Sequence, residues 1–241
     1  MSIEKTYGLI GRNIDYSFSK RYFNEKFRDL RINDSEYKNF DLDKINDFIK
    51  IDLSKIKGFN VTIPYKEKII PFLDEIDEAA KMIGAVNTIV IKGDKLIGYN
   101  TDYIGFIKSF KNNLDFKKAL IMGTGGASKA IQFSLKLKKI KFDIVSRKKS
   151  SDYKNYLTIK LKEYDLIINT SPLGTYPNIG EKPNINYNQI NEKKLCYDLI
   201  YNPNKTMFLI ESEKRGARIM NGLVMLKEQA EESWNLWKKF S

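Results

Sequence analysis

A short run of small residues in the middle of the chain has the composition of a phosphate-binding turn. The apolar residues 119–122 stop at Gly123, and residues with helical periodicity begin a few positions later. Gly123 permits a tight turn, and Gly125 lets a phosphate approach the main chain where a Cβ would collide. A strand, a glycine turn and a helix in this order present the amide groups of a helix start to a pyrophosphate. The pattern predicts dinucleotide binding, and a purely structural turn is the alternative, because the spacing is a shortened form of G-x-G-x-x-G. The predicted binding residues are Gly123, Thr124, Gly125, Gly126 and Ala127.

The next predicted strand, residues 141–146, ends in positive charge. Ser146 stands where NAD-binding chains carry a carboxylate for the ribose 2′-hydroxyl, and Arg147, Lys148 and Lys149 follow it. No carboxylate is present there to repel a 2′-phosphate, and the planar guanidinium of Arg147 can also lie on the adenine. The sequence therefore predicts NADP(H) rather than NAD. The alternative for Lys148 and Lys149 is solvated surface charge.

The sequence contains no histidine, which restricts the available chemistry. Nucleophiles activated by histidine and histidine-ligated metal sites are excluded, and we predict no metal. A dehydrogenase built on this chain has to move its proton with lysine, tyrosine or a carboxylate. Lys66 is a candidate because it follows Pro64 at the start of a predicted helix, where the helix dipole gives a lysine no advantage. A surface lysine is the alternative.

Hydroxyl groups occur at two further places where a ligand could bind. Ser17 and Ser19 lie near the start of a predicted helix over 18–27, where hydroxyls and main-chain N–H groups suit a small carboxylate. Capping of the helix by one of these serines is the alternative. Asp102 has the position of a cap for the predicted helix 103–111. An Asn-Thr-Ser-Pro loop follows the predicted strand 164–169, at the edge of a doubly wound sheet that faces a cofactor.

Composition places the chain among globular α/β proteins. It has 241 residues, enough for one large or two small domains with a sizeable core. The formal net charge is +12, but the lysines are scattered, so abundant lysine is favoured over a nucleic-acid site. Without an 18-residue apolar run or a signal-peptide layout, we predict no membrane partner and a cytoplasmic location. The single cysteine, Cys196, lies in an apolar run and is predicted to be a core residue.

Strand and helix patterns alternate along the chain, which predicts an α/β fold. Residues 84–99 indicate a hairpin that turns at Gly93-Asp94. The other predicted strands are 5–11, 57–62, 119–122, 141–146, 164–169, 195–200 and 216–220. The other predicted helices lie near 43–51, from Pro64 onward, and over 74–82, 131–137, 153–161, 206–214 and 223–240.

Seven motifs, in their order and spacing, resemble those of the shikimate dehydrogenase family along nearly the whole chain. The matching stretches are residues 58–66 (GFNVTIPYK), 84–88 (GAVNT), 98–102 (GYNTD), 123–130, 169–174 (NTSPLG), 197–203 (YDLIYNP) and 221–226 with Gln229-Ala230. The resemblance implies an α/β fold of two domains, an N-terminal α/β substrate domain and a Rossmann-like dinucleotide-binding domain. The implied bounds are 1–101 plus 222–241 for the substrate domain and 102–221 for the NADP domain.

The resemblance also implies the reaction and the residues that perform it. The reaction is the reversible, NADPH-dependent reduction of 3-dehydroshikimate to shikimate, in the biosynthesis of aromatic amino acids. Lys66 and Asp102 match the catalytic pair. The positions that match substrate-binding groups are Ser17, Ser19, Thr62 and Tyr201 for the carboxylate, and Asn60, Asn87 and Gln229 for the ring hydroxyls. The positions that match NADP(H)-binding groups beyond the glycine turn are Ser146, Arg147, Lys148, Thr170, Ser171, Leu199, Gly222 and Met225.

The chain departs from the family pattern mainly in its first loop. Tyr16 and Phe23 replace histidines, and Lys20 replaces a proline of the usual motif. A quinate or quinate/shikimate dehydrogenase, a non-catalytic ligand sensor and a nucleic-acid binder are the alternatives. A short-chain dehydrogenase is rejected, since its glycine turn lies at the chain start. We predict small-molecule substrates, no nucleic-acid partner, and a monomer or homodimer.

Overall fold

The computed structural model describes residues 3–15, 17–111, 115–146, 153–156 and 158–240. Contacts between Cα atoms divide the chain into two compact units, Met1–Thr101 with Ala230–Ser241, and Asp102–Gln229. The domain bounds expected from the sequence assign residues 222–229 differently, and those bounds stay a prediction.

The described residues form eleven strands and six α-helices. The strands of the first unit are β1 (Lys5–Gly11), β2 (Ser35–Asp41), β3 (Ile56–Val61), β4 (Glu75–Ile76), β5 (Thr88–Lys92) and β6 (Lys95–Tyr99). Those of the second are β7 (Lys118–Met122), β8 (Lys141–Val145), β9 (Leu166–Asn169), β10 (Leu195–Asp198) and β11 (Arg218–Met220). The helices are α1 (Phe18–Asp29), α2 (Glu78–Ile83), α3 (Asp102–Ser109), α4 (Gly126–Leu137), α5 (Met207–Glu213) and α6 (Leu223–Phe240).

The first unit is built on a mixed six-stranded sheet in the order β2-β1-β3-β5-β6-β4. The strand β1 pairs in parallel with β2 and β3, and β5 and β6 form the predicted antiparallel hairpin. One core cluster contains Tyr7, Phe23, Phe27, Trp234 and Trp237, and a second contains the apolar residues of β3 with those around residues 69–89. A sheet with a core on each side is the expected result of strands that alternate between two buried faces.

The second unit is built on a parallel five-stranded sheet in the order β11-β10-β9-β7-β8. Along β7, Leu120 and Met122 join one core cluster, whereas Ala119 and Ile121 join the other. Both faces are covered, as is usual for parallel sheets. Cys196 is fully buried, which confirms it as a core residue, and burial raises the pKa of its thiol to about 11. The α/β fold class is confirmed.

Two predicted helices are wrong, and a third differs in type. The helix predicted near 43–51 is present as a 3-10 helix, Ile45–Lys50. Residues 63–69, where a helix is predicted from Pro64 onward, form turns, and the Lys66 carbonyl there accepts a long-range hydrogen bond from the Val86 amide at 2.7 Å. In the predicted helix 153–161, the described residues form no α-helix. Instead, the Lys154 amide donates to the Ile144 carbonyl at 2.7 Å, and Lys154 forms a parallel β-bridge with Val145. This bridge covers part of β8, which is the edge strand of its sheet. The strands β2 and β4 were not predicted.

In the part of the chain that the structure describes, no helix is long and apolar enough to cross a membrane.

Candidate active site

Four parallel strands of the second unit end in register. Met122 is paired with Val145 on one side and with Asn169 on the other, and Asn169 is paired with Asp198. The residues that directly follow these strands therefore share one edge of the sheet. These residues are Gly123, Ser146, Thr170 and Leu199. The edge brings together candidates that lie up to 76 positions apart in the sequence.

The glycine turn lies where the strand order reverses. From β7 the chain moves to β8 on one side and then returns to β9 on the other, so a switch point lies between β7 and β9. Gly123 has a φ of 123°, and a Cβ added there would lie 2.6 Å from the Oγ1 of Thr170. Thr170 donates from its Oγ1 to the Met122 carbonyl at 2.9 Å. This position therefore requires glycine for both its conformation and its close contact.

The start of α4 suits an anion. The helix begins at Gly126 after the cap residue Gly125, and its first turn contains no acidic residue. A Cβ added to Gly125 would meet no atom of the described residues within 4 Å, so this side of the turn is open. Ser128 donates to the Gly123 carbonyl at 2.7 Å and fixes the turn from within the helix. Main-chain amides at an open helix start are the usual pyrophosphate site of such sheets.

A buried carboxylate ties two loops of this edge together. Asp198 accepts hydrogen bonds from the Asn169 side chain at 3.1 Å, the Ile200 amide at 3.1 Å and the Thr206 hydroxyl at 2.6 Å. Asn169 in turn accepts from the amide and the hydroxyl of Ser171, at 3.1 and 2.6 Å. Burial raises the pKa of Asp198 to about 6, although the three hydrogen bonds oppose that effect. Asp198 was not among the predicted site residues; its position at the end of a buried strand was the available signal.

The remaining predicted cofactor residues differ in their surroundings. A Cβ on Gly222 would lie 1.9 Å from the carbonyl oxygen of Leu199, so the two segments are in direct contact. Met225 is 6% exposed and belongs to a core cluster, so its side chain packs inside the second unit. Arg147 and Lys148, on which the choice of NADP rests, lie outside the described residues, as does Tyr16.

The proposed catalytic residues lie in different units. Lys66 is half-buried in the turns that follow β3, and Thr62 begins those turns by accepting from the Tyr65 amide at 2.8 Å. Asp102 is 5% exposed at the first position of α3. In the second unit, Tyr201 is half-buried, and Gln229 is 7% exposed and donates to the Leu226 carbonyl at 2.8 Å.

The predicted substrate residues of the first unit are largely engaged by protein groups. Ser17 caps α1 by accepting from the Ser19 amide at 3.2 Å, which supports the capping alternative for Ser17. Asn60 is 4% exposed, accepts from the Tyr37 hydroxyl at 2.8 Å and donates to Ser233 at 2.9 Å. Asn87 is 2% exposed and is bonded to Thr101, as described below.

Among the residues that the structure describes, no group of three or more cysteine or acidic residues could hold a metal ion.

The second unit has the architecture of a Rossmann-like dinucleotide-binding domain, with its glycine turn at the switch point. The sequence of residues 9–89, in the first unit, matches the protein-family model described as the shikimate dehydrogenase substrate binding domain. A shikimate dehydrogenase (NADP⁺) of Clostridium botulinum strain Hall is 45% identical, over 96% of this chain and 96% of its own.

Solved structures agree with this similarity. A crystal structure of a shikimate dehydrogenase in complex with NADP⁺ has a TM-score of 0.88 and 35% identity, covering 98% of this chain and 90% of its own. The Thermus thermophilus enzyme, in complex with NADP(H) and shikimate, has a TM-score of 0.87 and 26% identity, covering 98% and 94%. The chain belongs to the shikimate dehydrogenase family, a family of NADP-dependent oxidoreductases, which confirms the resemblance found in its motifs.

Proposed function

We propose that this chain catalyses the reversible, NADPH-dependent reduction of 3-dehydroshikimate to shikimate. The observation that carries the proposal is its similarity, over nearly the full length of both chains, to a relative named for this activity and this cofactor. The histidine-free composition agrees with it, because this chemistry can use lysine and a carboxylate for the proton.

Two residues are proposed to act on the carbonyl group. Bound NADPH supplies a hydride to the carbonyl carbon, and the oxygen then needs a proton. Lys66 is proposed to donate this proton or to polarise the carbonyl, since its ammonium group is a compact cation with three donors. Asp102 is proposed to bind a substrate hydroxyl and to complete the catalytic pair. In the reverse direction Lys66, as the neutral amine, would accept the proton from the alcohol while hydride returns to NADP⁺.

The carboxylate and hydroxyls of the substrate need their own partners. Ser17, Ser19, Thr62 and Tyr201 are proposed to bind the carboxylate with hydroxyl donors. Asn60, Asn87 and Gln229 are proposed to bind the ring hydroxyls with amide groups. A site built to bond hydroxyl groups rejects analogues that lack them, because its own polar groups would be left without partners.

The cofactor is proposed to lie along the carboxyl edge of the parallel sheet. The start of α4 suits its pyrophosphate, because an open helix N-terminus with no acidic first turn stabilises an anion. Ser146, Arg147 and Lys148 are proposed to bind the 2′-phosphate, and the other predicted cofactor residues remain proposals for the rest of the molecule. Oligomeric state, monomer or homodimer, and cytoplasmic location stay predictions.

The test is the formation of NADPH from shikimate and NADP⁺ by purified protein. NAD⁺ and quinate are the comparators, and Lys66→Ala is the test variant. Lys68→Ala is a matched control, since Lys68 is an exposed lysine two positions away. We expect turnover of shikimate with NADP⁺, loss of turnover in Lys66→Ala, and no loss in Lys68→Ala.

Other outcomes would redirect the proposal. A preference for quinate or for NAD⁺ would keep the chemistry and replace the substrate or cofactor. A folded protein that binds NADPH but turns over neither acid would refute the proposed activity. Equal activity of Lys66→Ala and Lys68→Ala would remove Lys66 from the catalytic role.

A further inference from the structure

A continuous hydrogen-bonded cluster of polar side chains lies inside the first unit. All of its members are at most 4% exposed, and all belong to Met1–Thr101 or Ala230–Ser241. They are Tyr37, Asn60, Asn87, Thr88, Thr101 and Ser233. A polar group buried to this degree destabilises the fold unless it is hydrogen-bonded, so the geometry of this cluster is under strong constraint.

The first half of the cluster has a defined direction. Tyr37 donates its hydroxyl proton to the Oδ1 of Asn60 at 2.8 Å, so the Nδ2 of Asn60 faces Ser233, at 2.9 Å. Because an amide nitrogen can only donate, the Oγ of Ser233 accepts there. The Oγ of Ser233 also lies 2.7 Å from the Oγ1 of Thr88, its nearest hydroxyl partner in the cluster, and either hydroxyl can be the donor.

The second half of the cluster fixes the amide of Asn87. Thr88 donates to the Oδ1 of Asn87 at 3.2 Å, and the Thr101 amide donates to the same oxygen at 2.6 Å. The Nδ2 of Asn87 donates to the Oγ1 of Thr101 at 2.9 Å. The Oγ1 of Thr101 also lies 3.2 Å from the Oγ of Ser233, which closes the cluster. If the Asn87 amide were rotated by half a turn, its Nδ2 would face the N–H of Thr101, and both groups are donors. The orientation with Oδ1 facing Thr101 is therefore favoured.

We propose that Ser233 is a positioning residue for the substrate-binding groups of the first unit, acting through this cluster. The inference rests on the proposed function, since Asn87 is a proposed substrate-binding residue and Thr101 directly precedes the proposed catalytic residue Asp102.

The position of Ser233 on α6 supports a specific role. Ala230, Trp234 and Trp237 share its face of the helix and belong to an apolar core cluster. A hydroxyl in this stripe would be replaced by an apolar group at little cost if it had only a packing role. Instead, Ser233 lies within 3.2 Å of polar atoms of Asn60, Thr88 and Thr101.

The test compares variants that remove one hydroxyl with variants that keep it. Ser233→Ala and Thr88→Val each remove the contact between the Ser233 and Thr88 hydroxyls, and Thr88→Ser keeps it. Weaker contacts of Asn60 with Thr88, at 3.4 Å, and with the Asn87 carbonyl, at 3.3 Å, remain in Ser233→Ala. Ser212→Ala is the matched control, since Ser212 is fully buried on α5 and bonds the carbonyl of Phe208 in its own helix at 2.7 Å. The readouts are KM for shikimate, kcat, and the Kd of NADPH measured by its fluorescence.

We expect Ser233→Ala and Thr88→Val to lower kcat/KM for shikimate by about tenfold, the scale of a small misplacement of binding groups. The Kd of NADPH is expected to be unchanged, and Thr88→Ser and Ser212→Ala are expected to keep wild-type values. The double variant is expected to lose less than the sum of the two single losses, because both substitutions remove the same contact between Ser233 and Thr88.

Two results would overturn the inference. One is an unchanged kcat/KM in Ser233→Ala; the other is an equal loss in Thr88→Ser and Thr88→Val, which would indicate packing alone. If Ser233→Ala does not fold, the comparison of Thr88→Val with Thr88→Ser tests the inference on its own. Failure of the wild-type protein to turn over shikimate would instead refute the proposed function, and the two failures are therefore distinguishable.

Discussion

The buried carboxylate of Asp198 predicts a stability effect with an unusual sign. Burial raises its pKa to about 6, against an ordinary value of 3.8. Between these values the folded protein binds a proton that the unfolded chain does not, so this group's contribution to stability falls as pH rises through that window. From about pH 4.5 to about pH 7.5, the loss amounts to about 2 kcal/mol.

The perturbation is Asp198→Asn, which keeps the shape of the side chain and removes its titration. Asparagine keeps one acceptor oxygen, whereas Thr206 bonds one oxygen of Asp198 and both Asn169 and the Ile200 amide bond the other. One of these sets loses its acceptor, so the absolute stability of the variant is expected to be lower. The quantity of interest is the change with pH. Relative to wild type, the free energy of unfolding of the variant should rise by about 2 kcal/mol from about pH 4.5 to about pH 7.5, since all other groups titrate alike in both proteins.

Hydrogen exchange at the amides of β9 and β10 is the suitable assay. Both tryptophans, Trp234 and Trp237, belong to the first unit, so their fluorescence does not report on the strands around Asp198. Glu211→Gln is a control in the same unit, because hydrogen bonds with Lys214 and Arg215 lower the pKa of that carboxyl and give the opposite sign. A wild-type-to-variant difference that is the same at both pH values would refute the reasoning.

Two further predictions concern the second unit. Gly222→Ala would place a methyl carbon 1.9 Å from the carbonyl oxygen of Leu199, so we expect a loss of about 3 kcal/mol or more and weaker NADPH binding. Thermal unfolding and NADPH titration check this, with Gly180→Ala, where an added Cβ has open space, as the control; equal effects of the two substitutions would contradict it. Lys194 is 4% exposed and donates to two main-chain carbonyls, including that of Tyr164 at 2.6 Å, while burial lowers its pKa. Lys194→Met is expected to cost about 2–4 kcal/mol by leaving those carbonyls without partners, and an unchanged unfolding midpoint in urea would show that water replaces the ammonium group.

The parts of the fold that local patterns determine could be predicted from the sequence. Three features depend only on neighbouring residues, and the structure confirms each of them: the glycine turn between β7 and α4, the hairpin at Gly93, and the bounds of α6. The strand β2 was missed because its sequence, SEYKNFD, alternates little and carries charge at an edge of the sheet. The local pattern from Pro64 onward predicts a helix, because the hydrogen bond between the Lys66 carbonyl and the Val86 amide joins residues twenty positions apart and no local pattern specifies it.

The candidate site divides in the same way. Residue types and spacing predict the edge that carries Gly123, Ser146 and Thr170, since the ends of parallel strands meet there. The cluster around Ser233 depends on contacts between residues up to 173 positions apart, which no local pattern specifies. A serine between apolar neighbours on one helix face was the available signal, and it becomes informative only once its partners are known.

The division of the first unit along the chain has a consequence for biosynthesis. Trp237 donates its indole N–H to the Ile89 carbonyl at 3.0 Å, and a Cβ added to Gly58 would lie 2.1 Å from the indole nitrogen. Gly58 and Ile89, which contact this ring, are therefore synthesised early in translation. Trp237 is synthesised on the order of ten seconds later at ordinary elongation rates. During that interval the nascent first unit lacks Trp234 and Trp237, so the other members of their core cluster are without these partners. A premature stop codon before Trp237 would leave the Ile89 carbonyl permanently without its indole donor and Gly58 without the ring that packs on it.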